Sequence, residues 1–328
     1  MNLLIIRNYI LGLSLITYNA FSVNSSVHNP CEYLFDWDFD CDICGCATSG
    51  GGIGFSSLQT NEFFGVRYAF QEFRSKDGIF NNSPTIREQF NTYQLWGKKQ
   101  LWKNFELSAL IPFQDLKRIH TQRPEESIRG IGDISLIGWY NFSFYKKKED
   151  DLPVYASKTL SNHSLKLGLG LKLPTGKFRQ EIDNGINPGF QVGSGSTDFI
   201  ISSLYAYTKE LWGFSSNLSY FIKTENADNF RFGNQLSLSS RFFVPFGDEK
   251  LAYFPFLGVT ADHYKAVEEF GEKINGTEGH LISLLVGTEV AFNGYMIGAN
   301  VSIPTEQNLV SGDVRARARF EVYVNFSF

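Results

Sequence analysis

All four cysteines of the chain lie near its N-terminus, at Cys31, Cys41, Cys44 and Cys46. The last three read C-x-x-C-x-C, which brings three sulfurs close enough to share one ion. Thiolates at that spacing suit the soft or borderline metals Cu(I) and Zn(II). Cys41, Cys44 and Cys46, with Cys31 as a candidate fourth ligand, are therefore the metal ligands this sequence offers, for copper or zinc. Asp36, Asp38, Asp40 and Asp42 are interleaved with them; they raise the local cation concentration but also oppose thiolate formation. Two other readings stay open. An even number of cysteines in an oxidising compartment usually closes into disulfides, and four cysteines allow three connectivities. A C-x-x-C pair can also exchange disulfides with another protein, so this segment is also where a periplasmic protein partner is expected. His28 reads as a solvated residue of the same segment, and His120, His163, His263 and His280 are scattered without metal-ligand spacing. No G-x-S-x-G or comparable nucleophile phrase occurs, so no catalytic residues are assigned and the chain is not expected to be an enzyme.

What positions these cysteines begins with the segment before them. Arg7 supplies a basic start, residues 9–17 (YILGLSLIT) an apolar stretch, and Ala20-Phe21-Ser22 the small residues of a cleavage site before Val23. Residues 1–22 thus read as an export signal, too short in its apolar part to be a retained transmembrane helix. Residues 23–60 form a periplasmic cysteine-containing segment. Its end, SGGGIG at 49–54, is a hinge and not a nucleotide loop, because no strand–turn–helix unit surrounds it. After Ser22 no run approaches eighteen apolar residues, so any contact with a bilayer has to be made by strands.

Composition agrees. The 328 residues include 31 Phe, 15 Tyr and 30 Gly but only 2 Met, a mixture that suits strands and tight turns. A mean hydropathy of −0.17 is too polar for a helical membrane protein and ordinary for a barrel whose strands alternate between lipid and a wet interior. The net charge of −4 supplies no basic field for nucleic acid.

The clearest periodicity closes the chain. In RARARFEVYVNFSF, Phe320, Val322, Val324, Phe326 and Phe328 fall on one face, while Arg315, Arg317, Arg319, Glu321 and Tyr323 fall on the other. A period of two held this long is a strand with one apolar and one polar face, and a terminal aromatic on such a strand is characteristic of outer-membrane barrels. The same alternation recurs at Leu165–Leu173 and upstream and downstream of it. It predicts about twelve strands of ten or more residues, the length a tilted barrel strand needs. The fold class is all-β: a single antiparallel up-and-down transmembrane β-barrel over residues 61–328, with the short cysteine-containing segment ahead of it. Strands in hydrocarbon cannot leave backbone groups unpaired, so the sheet has to close. Connections near 74–87, 115–130, 175–195, 224–230, 264–279 and 305–314 are long and polar. Those near 98–103, 209–213, 247–250 and 293–294 are tight, and 145–163 is a charged exception. Long outer loops and short periplasmic turns are the expected asymmetry. Trp96, Trp102, Trp139 and Trp212 are expected in the interfacial girdles. The polar face supplies the lumen: Lys166, Lys172, Arg241, Arg315, Arg317 and Arg319 against Asp133, Glu289 and Glu321.

Three phrases carry a resemblance. Gly130-Ile131-Gly132-Asp133, followed by Leu136 and Tyr140, opens one strand. Leu171-Lys172-Leu173-Pro174-Thr175-Gly176 leaves another, and Gly193-Ser194-Gly195-Ser196-Thr197-Asp198 returns from the same loop. Together they resemble the outer-membrane transporters grouped under the meta-pathway of phenol degradation, over roughly residues 60–328. The resemblance implies a barrel in the bacterial outer membrane, with membrane lipid outside and a small-molecule solute within. It does not imply phenol itself, and it does not cover the cysteine segment. A structural barrel with a filled lumen and a disulfide-stapled N-terminal plug is the alternative.

Overall fold

The computed structural model describes residues 62–76, 85–121, 123–143, 162–181, 185–209, 212–247 and 251–327. The export signal, the cysteine segment and the charged 145–163 connection fall outside the described residues, apart from Asn162 and His163. Twelve long strands run in order: β1 (Phe63–Lys76), β2 (Thr85–Trp102), β3 (Phe105–Ile119), β4 in two pieces (Glu126–Ile131 and Ile134–Ser143), β5 (Asn162–Leu173), β6 (Asp198–Lys209), β7 (Trp212–Ile222), β8 (Gln235–Phe243), β9 (Leu251–Tyr264), β10 (Gly279–Phe292), β11 (Tyr295–Leu309) and β12 (Arg319–Ser327). Every strand pairs antiparallel with its sequence neighbours, and β1 pairs with β12, from Phe63 opposite Ser327 to Phe70 opposite Phe320. The sheet is a closed antiparallel barrel, so no edge is left to hydrocarbon.

Alternation along each strand separates two surfaces. On β5, Leu167, Leu169 and Leu171 face outward, Leu169 being 71% exposed, while Lys172 is 3% exposed. Phe320, Val322 and Phe326 are likewise exposed, and Glu321, Tyr323 and Asn325 between them are buried. An apolar exterior around a polar interior inverts the pattern of a water-soluble sheet and is what a lipid solvent demands. The connections β2–β3 and β10–β11 are two-residue turns, and Asn293 and Gly294 of the latter take positive φ. These turns lie on the same side as the start of β1 and the end of β12, the periplasmic side of an outer-membrane barrel.

Some strands reach further than alternation alone suggests. β3 continues to Ile119, and the upper piece of β4 pairs with it from Arg118 opposite Glu126 to Phe113 opposite Ile131. The expected 115–130 loop is therefore mostly hairpin, because an outer strand end that clears the membrane no longer needs an apolar face. Two of the four expected girdle tryptophans also point inward: Trp96 and Trp139 are each 3% exposed. Glycines opposite them make the room. A Cβ on Gly168 would lie 2.7 Å from the Trp139 ring, and one on Gly65 would lie 2.9 Å from Trp96 Nε1.

Candidate functional site

The site grows from an irregularity in β4. Below it Leu110 of β3 pairs with Ser135, and above it Phe113 pairs with Ile131. Ile111 and Pro112 thus oppose three residues, Gly132, Asp133 and Ile134. Pro112 has no N–H to give the ladder, and its carbonyl accepts from Gly132 N at 2.8 Å. The extra residue is a bulge, and bulges re-aim side chains: Gly132 and Asp133 are both buried.

Asp133 then gathers the connection between β5 and β6. Its Oδ1 accepts from Gly176 N at 3.0 Å. Its Oδ2 accepts from Ser194 N at 2.9 Å, from Ser194 Oγ at 2.7 Å and from Lys172 Nζ at 2.6 Å. Lys172 also contacts Ser194 Oγ and lies 3.0 Å from Asp198, which lies 3.2 Å from Lys223. Ser196 Oγ and Thr224 N both donate to Asp198 Oδ1. Thr175 Oγ1 donates to Gly132 O at 2.8 Å and accepts from Ile134 N at 3.0 Å. Two carboxylates and two ammonium groups alternate, each 5% exposed or less at the side chain. Buried charges persist only where they are paired and hydrogen-bonded in this way. Gly176 and Gly193 cross so closely that a Cβ on Gly193 would meet Gly176 backbone at 2.4 Å. The three phrases singled out in the sequence thus meet in one latch.

The latch holds the described parts of this connection, residues 174–181 and 185–197, folded into the barrel mouth. Phe190 is 0% exposed and Val192 2%. They pack in one cluster with Phe73, Phe90, Leu116, Ile128, Leu309, Val314 and Ala316, the inward residues at the outer ends of β1–β4 and of β11 and the β12 side. Phe190 meets Phe90 edge-on at 6.0 Å, and Arg118 stacks on Phe190 at 4.6 Å. Above the cluster the loops tie to one another. Arg179 pairs with Asp228, Asn226 Nδ2 donates to Ser194 O at 3.0 Å, and short strands Phe230–Arg231, Glu268–Glu269 and Glu272–Lys273 form a small sheet over Phe230, Phe232 and Val267. The hydrogen bond from Arg179 holds the Asp228 carboxyl below its ordinary range, and that from Arg231 does the same for Glu268. Sequence reading passed over Phe190 and Val192, because a lone Phe and Val in a polar loop show no period.

Lys166 lies 2.7 Å from Glu106, Arg241 lies 3.2 Å from Glu289, and Arg319 lies 2.7 Å from Glu321. Arg241, Glu289 and Glu321 are buried. Arg315 and Arg317 do not share the face of Arg319: both are exposed, and Ala316 between them is buried. Phe73 pairs with Ala316 but Phe70 pairs with Phe320, so Gln71 and Glu72 oppose Arg317, Ala318 and Arg319. That one-residue bulge flips the phase. Among the described residues no group of three or more His, Cys, Asp or Glu could hold a metal ion, and Cys31, Cys41, Cys44 and Cys46 lie outside them.

A family model described as "Putative MetA-pathway of phenol degradation" matches residues 88–303. No curated protein matches by sequence. Among solved structures, an outer membrane channel from Pseudomonas putida F1 superposes with a TM-score of 0.58 at 12% identity, covering 84% of this chain and 98% of that one. The β domain of the Bordetella autotransporter BrkA (TM-score 0.45, 10% identity, 82% and 100% covered) and the NanC porin (0.42, 9%, 81% and 100%) are more distant. With its closed barrel and apolar exterior, the chain is a β-barrel of the bacterial outer membrane.

Proposed function

Since the chain belongs to this MetA-pathway family of phenol degradation, we propose that it is a channel for a small solute, shut at its outer mouth by residues 174–181 and 185–197. The observation that carries this reading is the latch. Four alternating buried charges hold Phe190 and Val192 across the mouth, on polar contacts that can be made and broken. A plug needed only for stability is more cheaply built from apolar contacts, since a buried ion pair is often no more stabilising than a hydrophobic replacement. The lumen beneath is lined by Ser202, Ser219, Ser237, Ser239 and Thr260 with paired charges such as Arg241–Glu289. It suits a small polar or amphipathic solute. No side chain is assigned a catalytic role.

The test is liposome swelling with uncharged solutes of graded size. Proteoliposomes of the Phe190→Ser/Val192→Ser variant should admit small solutes several-fold faster than the wild type, with a size cut-off set by the lumen. Equal, negligible swelling for both would favour the filled structural barrel.

For the N-terminal segment we propose metal handling at Cys41, Cys44 and Cys46 with Cys31, or their closure as disulfides. What supports both is the C-x-x-C-x-C spacing in an exported chain.

A further inference from the structure

Ser203 on β6, Ser216 on β7 and Ser240 on β8 face outward, in phase with the exposed Ile201, Leu218 and Leu238. Ser216 pairs with Ser240 across the ladder, and their hydroxyls bond at 2.8 Å. Each hydroxyl thus has a partner, and together they make a low row beside the bulkier Leu218 and Leu238. One row nearer the periplasmic turn, Tyr207, Phe214 and Phe242 stand in register. Trp212 stacks on Phe242 at 5.3 Å, and His163 lies 4.6 Å from Tyr207. Beside the serine row lies a groove of about 530 Å³ on the barrel exterior, lined by His163, Tyr205, Tyr207, Trp212, Phe214 and Phe242. At its rim the exposed His163 shares a hydrogen bond of 2.7 Å between Nδ1 and the Tyr205 hydroxyl.

We propose that this groove binds one glycerophospholipid of the inner leaflet. An acyl chain runs from the aromatic groove over the low serine row beside it, and the headgroup phosphate meets His163 and the Tyr205 hydroxyl. Place fixes the occupant. This face is continuous with the lipid-facing belt, and its depth beside the periplasmic turn is that of the ester and phosphate groups, where aromatic girdles sit. A ring of aromatics alone makes a smooth girdle. Small side chains on adjacent strands beside it make a slot, and a slot can hold a single chain in one position. The inference rests on the membrane placement and is independent of whether the lumen conducts.

Native mass spectrometry of the full chain, purified in detergent and titrated with phosphatidylethanolamine, tests it. The wild type is expected to retain one lipid per barrel. Ser216→Leu/Ser240→Leu, which raises the row beside the groove along the path of the acyl chain, should cut that occupancy at least tenfold while heat-modifiable gel mobility stays that of a folded barrel. Should the double variant fail to fold, Phe242→Ala removes one wall and is expected to lower retention similarly. His163→Ala should weaken retention of phosphatidylethanolamine but not of diacylglycerol, which has no phosphate. Equal retention by wild type and filled variants would overturn the proposal. So would a stable wild-type dimer that the leucine substitutions dissociate, which would make a second copy the occupant.

Discussion

At the scale of single residues, Lys172 carries the most. It stands between Asp133 and Asp198, so Lys172→Met leaves two buried carboxylates short of a counter-charge. Breaking a buried pair from one side costs about 3–5 kcal/mol, and the variant should unfold at lower urea in lipid vesicles and swell faster with solute. A variant as stable and as closed as the wild type would show that the latch does not hold the loop. The exposed pair above it gives a pH dependence. Asp228 is held below its ordinary pKa by the Arg179 hydrogen bond. A depressed carboxyl contributes stability above its unfolded pKa of about 4, and that contribution is lost as pH falls through the folded value. Acid below about pH 4 should therefore loosen the loops, and Asp228→Asn should flatten that response in a conductance titration; an unchanged acid response would remove Asp228 from the account. The cysteines have their own readout. Copper or zinc bound one per chain in native protein, and lost in Cys41/Cys44/Cys46→Ser, would identify a metal site. Neither metal nor titratable thiol would identify disulfides. Asp133 and Lys172 were legible as candidates, and Asp198 as the end of the third phrase, because they sit in short phrases at strand ends. Their mutual contact was not legible, since sixty-odd residues separate the first from the last of them.

At the scale of elements, a strict period of two made nearly every strand readable. Leu165–Leu173 and Phe320–Phe326 each show lipid on one side and lumen on the other with no tertiary information. The failures sit where the period breaks. The bulge at Arg317-Ala318 exposes Arg315 and Arg317. One inserted residue moves every later side chain to the opposite face, and composition gives no warning of it. Trp96 and Trp139 were misassigned to the girdles for a related reason: strand-end position outweighed phase in that expectation, and the glycines opposite them admit the rings inside. The lipid face gives a direct test. Leu169→Arg places a charge on the exposed row of β5, where an arginine near the midplane costs about 2–4 kcal/mol. Folding titrations in vesicles should show a loss of that order, and a negligible effect would mean that this face does not contact hydrocarbon.

At the scale of the molecule, the barrel separates two jobs. Its exterior answers to lipid, and the aromatic groove on β5–β8 is a local departure from a smooth belt. Its interior is polar, and there charges pair: Lys166 with Glu106, Arg241 with Glu289, Arg319 with Glu321. A lumen whose fixed charges are paired at contact distance presents little net field, so selectivity between small cations and anions should be weak. On the proposed function, residues 174–181 and 185–197 gate a conducting lumen. Its most direct test is single-channel recording in planar bilayers of the full chain beside Phe190→Ser/Val192→Ser. Rare, brief openings are expected of the wild type, and long-lived openings of unchanged, weakly selective conductance of the variant. Identical silence from both, with the variant shown to be folded, would contradict it and leave a filled structural barrel.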